Sequence, residues 1–203
     1  MKIVELILDE DQEDSGIDAI SIVESPAIES DFIALKKEKE IKLAEVNAEK
    51  RILLGALLIP NKTIFRTSAD GDYYIFFSKE TVAKASQLYL TKGKQNNSTL
   101  EHQHSLNGLT LVESWLVEDE VHDKSRKYGL DVPVGTWMGA VKVNNQEVWD
   151  EYVKTDKVKG FSIEGYFADK MERPKEPIQE DLSKDDKIIE KIKNILTSNN
   201  ETK

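Results

Sequence analysis

The sequence predicts an α+β fold built on a mostly antiparallel sheet or small β-barrel, and three observations predict it. From Arg51 onward, short apolar runs are punctuated by Gly, Pro and Asn, the pattern of strands that share one core. Five of these runs, 52–59, 72–77, 109–117, 134–143 and 158–167, are strand-length. Two segments with helical spacing interrupt them irregularly rather than after every strand, which argues against repeated βαβ units.

Residues 1–50 open with a possible strand, Met1 to Leu8, cross the acidic run Asp9 to Asp14 and reach an apolar stretch, Ile20 to Ile28, before a Lys/Glu-rich segment. They read as an acidic N-terminal arm or pro-segment: residues 1–31 carry ten acids against the single base Lys2, whereas the remaining chain is nearly neutral. Such an arm either covers a substrate groove or completes the core. In the compact part, 51–170, Ser78 is placed to cap a helix with Val82, Ala85 and Tyr89 on one face, and a shorter helix from Asn145 is expected to bury Val148, Trp149 and Tyr152. Beyond Arg173-Pro174 and Pro177 lies a polar linker, then a helix capped by Ser183 whose Ile188, Ile189, Ile192, Ile195 and Leu196 form an apolar stripe. That stripe must pack on this domain, on a second copy or on another protein. There is no internal repeat.

Composition narrows the function classes. The 203 residues include no cysteine and three histidines, so thiol chemistry and a thiolate zinc site are excluded and no metal or other cofactor is expected. A net charge of −10 gives no general support for nucleic-acid binding. No apolar run reaches the roughly 20 residues of a bilayer span, so no membrane partner is expected either.

Two histidines, His102 and His104, share one short segment. If 98–104 is extended, both project to one face, which suits a metal pair, a base with a helper or a solvated strand end. His122 lies in a charged loop. Alternation through 109–117 puts Glu113 on the face of Leu109, Leu111, Trp115 and Val117, where a carboxylate needs a partner. In the strand around Phe161, the same alternation puts Ser162, Glu164 and Tyr166 opposite Phe161, Ile163 and Phe167. Gly160 and Gly165 flank Ser162 and either admit another backbone or mark a bulge. Ser162 becomes a nucleophile only if a base takes its proton, and His102 or His104 is the available base.

Four blocks, Thr99-Leu-Glu-His-Gln-His, Gly108-Leu-Thr-Leu-Val-Glu-Ser-Trp-Leu-Val-Glu-Asp, Pro133-Val-Gly-Thr-Trp-Met and Gly160-Phe-Ser-Ile-Glu-Gly-Tyr-Phe, resemble the prohead serine proteases of tailed phages of the XkdF type. Asp18-Ala-Ile-Ser-Ile-Val-Glu-Ser-Pro-Ala-Ile resembles the start of such proteins, so the likeness runs in order over about 20–170. That group is distantly related to the herpesvirus assemblins. The resemblance implies a small β-barrel surrounded by helices and a serine endopeptidase that trims scaffold and major capsid proteins inside the immature head, in the bacterial host cytoplasm. It also raises self-processing and homo-oligomerisation. Carried over by position, it makes Ser162 the nucleophile and His102 the base, with His104 as the fallback. Glu164 is preferred to Glu113 as the third member. Some relatives continue into a long scaffold-like region where this chain has one helix, which implies a separate scaffold partner. The competing expectation is a head-assembly protein of the same fold whose serine is idle.

Overall fold

The structure is a computed structural model that describes residues 2–9, 11–29, 33–35, 50–69 and 71–170. The chain divides into two units, Met1–Lys170 and Met171–Lys203; the second, with the helix expected after Ser183, lies outside the described residues.

In chain order the strands are β1 (Lys2–Ile7), β2 (Gly16–Val23), β3 (Ile33–Leu35), β4 (Ile52–Leu58), β5 (Ile64–Ser68) and β6 (Gly71–Phe77). Helix α1 (Lys79–Thr91) follows, then β7 (Ser98–Leu100), β8 (His104–Leu106), β9 (Leu109–Leu116), the short α2 (Lys124–Lys127) and β10 (Trp137–Val143). A helical segment Gln146–Val153 leads to β11 (Gly160–Tyr166) and β12 (Ala168–Asp169). The strands form three four-stranded sheets with orders β12-β1-β6-β5, β3-β4-β10-β9 and β11-β2-β7-β8. Pairing is antiparallel except for β1 with β6 and β2 with β7.

This architecture corrects the expected α+β fold, a small barrel or sheet surrounded by helices. Strands hold 44% of the described residues and helices 19%, no sheet closes into a barrel, and helices do not surround the sheets. Two physical reasons account for the difference. Among the described residues only α1 is a regular α-helix of more than four residues: the helix expected from Asn145 is capped as anticipated, with the Asn145 side chain accepting from the Val148 amide, but widens into a π turn at Trp149–Val153. The segment read as an arm supplies β1, β2 and β3. β2 is an interior strand, buried at every position except Asp18, because both its edges are paired and both its faces are covered. The Lys92 ammonium secures the loop before it by donating to the backbone carbonyls of Glu13 and Ser15.

The core is continuous through Leu53, Leu54, Leu57 and Leu58 of β4, Ile17, Ile20 and Ile22 of β2, Phe161 of β11, and Trp137 and Trp149. β4 reads as one apolar run because it lies between β3 and β10 and buries six consecutive residues. Helix α1 begins where Ser78 accepts from the Thr81 amide at 3.3 Å, and its Val82, Ala85 and Tyr89 are wholly buried. Each large side chain so buried contributes roughly 1.5–3 kcal/mol.

Tyr89 packs edge-on against Trp137, with ring centroids 5.6 Å apart, and its hydroxyl donates to the Asn97 carbonyl at 3.3 Å. Burial pushes its phenol far above the ordinary value of 10.0. The folded state therefore holds this proton more tightly than the unfolded chain, so the linked stability is complete below about pH 10 and is lost as the pH climbs above it. Tyr89→Phe is expected to lose about 1 kcal/mol near neutrality, for the hydrogen bond, and to show a shallower fall in Tm above pH 10 than the wild type. Circular dichroism melts of both proteins across that range test it.

Candidate active site

The site is built on the sheet β11-β2-β7-β8. Ser162 of β11 lies opposite Ser21 of β2, Ser21 is paired with Thr99 of β7, and Thr99 lies opposite Ser105 of β8. Residues paired in this way project to one side, so the four hydroxyls form a row across the sheet. Ser162 is 9% exposed, and Ser21 is fully buried.

Glu164 is two residues along β11 and shares the face of Ser162, as alternation predicts. Its partner on β2 is Ala19, whose small side chain lets the carboxylate pass over β2. There its Oε1 accepts a hydrogen bond from the Thr99 hydroxyl and faces His102 Nδ1 at 3.1 Å. A carboxylate only accepts, so Nδ1 is the protonated nitrogen, and a neutral ring keeps its lone pair on Nε2. The His102 and Glu164 side chains are 41% and 30% exposed, so their contact orients the ring more than it stabilises the fold.

His102 sits at the tip of the β7–β8 hairpin rather than in an extended strand. The turn is closed by the Gln103 amide donating to the Leu100 carbonyl at 3.0 Å, and its central residues, Glu101 and His102, have φ of 50° and 58°. That left-handed pair is the geometry usually supplied by Asn-Gly, and holding two side-chain-bearing residues there costs roughly 1–2 kcal/mol each. Tertiary contacts hold it. The Glu101 amide donates to the Ile22 carbonyl at 3.2 Å, Glu101 Oε1 accepts from the Glu24 amide at 2.6 Å, and the His102 amide donates to Ser21 Oγ at 3.1 Å.

The turn corrects the shared face expected for His102 and His104. His104 opens β8 opposite Leu100, in a row with Ile22 and Phe161, on the other side of the sheet from Ser162. Glu113 is also displaced from its expected apolar face. Leu111 is paired with Val141 but Glu113 with Ala140, so Val112 is an extra residue, and this bulge reverses the alternation beyond it. Glu113 is half-exposed on a different sheet and pairs with Lys124, whose ammonium lies over the Trp115 ring at 4.9 Å. His122 is a surface residue whose amide donates to Asp119 Oδ1 at 2.7 Å; that bond and the one from the Val121 amide hold the Asp119 carboxyl below its ordinary value.

The structure thus brings together Ser162, His102 and Glu164 on one face, and leaves out His104 and Glu113. Among the described residues no hydrogen bond joins Ser162 Oγ to His102 or His104, and no three His, Asp or Glu residues are grouped to hold an ion. Sequence reasoning missed Ser21 and Thr99. The signal for the first was a serine set between Ile20 and Ile22 in an otherwise apolar run, a position that favours β-branched residues.

Gly165 marks a bulge in the β11–β2 pairing, and a Cβ there would lie 2.0 Å from the Gly16 carbonyl oxygen. The approaching backbone is that of β2. Gly165→Ala is expected to destabilise the fold by about 3 kcal/mol, near the upper end for overpacking, since backbone rather than a flexible side chain must move. A urea midpoint measured against the wild type checks this.

No family model, curated protein or solved structure matches this chain.

Proposed function

We propose that this protein is a serine endopeptidase of phage head maturation, with Ser162 as nucleophile, His102 as base and Glu164 orienting the imidazole. The observation that carries the reading is the Glu164–His102 contact at 3.1 Å on the sheet face that bears Ser162. In the acylation step His102 Nε2 takes the Ser162 proton as Oγ attacks the scissile carbonyl, and returns it to the departing amine. Water activated by the same nitrogen then hydrolyses the acyl ester. Glu164 stabilises the imidazolium formed in both steps. Acylation requires the imidazole, which makes no hydrogen bond to Ser162, to swing into reach of Oγ. The substrates proposed are scaffold and major capsid proteins, with self-cleavage and self-association included, and the setting is the immature head in the bacterial cytoplasm. The reaction needs no cofactor, nucleic acid or membrane.

The second reading is a head-assembly protein whose serine is idle, and the low exposure of Ser162 and its lack of a bond to the imidazole favour it. A fluorophosphonate reagent, which labels activated serines whatever the cleavage specificity, separates the two. Labelling mapped to Ser162 and lost in His102→Ala supports the protease. Unlabelled Ser162, together with uncut capsid and scaffold proteins on co-expression, supports the idle component.

A further inference from the structure

Ser21 belongs to none of the roles above, yet its side chain stands at the centre of the site. It is fully buried in the interior strand β2, between Ser162 on one side and Thr99 on the other. Its Oγ donates to the Thr99 carbonyl at 3.4 Å and accepts from the His102 amide at 3.1 Å, so both functions of the hydroxyl are directed at the β7–β8 hairpin. The acceptor bond falls on one of the two residues of the hairpin turn held at positive φ. Without it the His102 amide loses its partner and the left-handed tip loses the contact nearest the imidazole.

We propose that Ser21 is a positioning residue for the catalytic base: its hydroxyl locks the His102 backbone in the left-handed turn that aims Nδ1 at Glu164. This rests on the reading of His102 as the base. Thr99 closes the same circuit, because its carbonyl accepts from the Ser21 hydroxyl while its own hydroxyl donates to the carboxylate oxygen that faces His102. The hairpin tip, the carboxylate and β2 are thereby one hydrogen-bonded unit.

The test uses the full chain and two readouts: the rate at which a fluorophosphonate labels Ser162, and the ring-nitrogen NMR shifts of His102, which report the hydrogen bond at Nδ1. Ser21→Ala is expected to slow labelling about 10- to 100-fold, the scale for a catalytic group displaced by an ångström or so. It should also move the His102 shifts towards those of Glu164→Gln. Ser21→Thr, which keeps the hydroxyl, should restore both. Unchanged ring-nitrogen shifts in Ser21→Ala overturn the proposal even if labelling slows, since Ser21 then acts on Ser162 directly or only on stability. If wild-type Ser162 does not label, the protease reading fails while the ring-nitrogen shifts still decide the role of Ser21. Should Ser21→Ala not fold, Ser21→Cys, close in volume but a weak acceptor, is read in the same way.

Discussion

A chain lacking residues 1–33 is expected to be insoluble or unfolded, with no cooperative transition in urea. The deletion removes β1 and β2, and β2 lies between β11 and β7 in their sheet. It also strips Ile17, Ile20, Ile22 and Val23, each at most 2% exposed, from the core. At roughly 1.5–3 kcal/mol per side chain, those residues alone outweigh much of the 5–15 kcal/mol by which domains are stable. An autoinhibitory arm would give the opposite result, a folded product with faster peptide hydrolysis, and that outcome would overturn the placement of β2 as an interior strand. Solubility, circular dichroism and a urea titration of the truncated chain decide it.

The second large effect concerns the carboxylates. Glu164→Gln is expected to lower the labelling rate of Ser162 by about 10²–10⁴-fold while Tm shifts little. The amide can present a donor to Nδ1 and favour the wrong tautomer, whereas the half-exposed pair adds little to stability. Glu113→Gln should leave the rate unchanged and alter stability by less than about 1 kcal/mol, because its pair with Lys124 is open to solvent. His104→Ala should likewise be silent, since His104 lies on the opposite side of the sheet. Activity lost in Glu113→Gln or His104→Ala and kept in Glu164→Gln would exchange the assignments.

What was legible in the sequence was local. Ser78 followed by residues at helical spacing specifies α1, the apolar run in β4 specifies a strand buried on both faces, and alternation along β11 puts Glu164 beside Ser162. What was hidden depends on distant partners or on a single irregular residue. The acids before β2 suggested a solvated arm, and nothing nearby reveals that residues 71–77 and 98–100 will pair with the N-terminal strands. The turn at Glu101-His102 carries no glycine or asparagine, so its left-handed geometry has no local signature, and the shared face of His102 and His104 follows only if 98–104 is extended. The bulge at Val112 reverses a face without altering the alternation written in the sequence.

The pairing of Ser21 with Ser162 also sets the moment at which the site comes into being. Translation at 5–20 residues per second separates those two positions by on the order of ten seconds, during which β2 has left the ribosome without its edge partner. Ser162, the proposed nucleophile, arrives with β11, the last but one of the described strands, and Glu164 arrives with it. A nascent chain still short of residue 160 therefore holds His102 and its hairpin but neither Ser162 nor Glu164, so under the proposed function it is unable to cut its neighbours on the same message. Carboxylates at Asp9, Asp11, Glu13 and Asp14 precede the waiting apolar strand and give it charged flanks, which oppose aggregation until β11 docks.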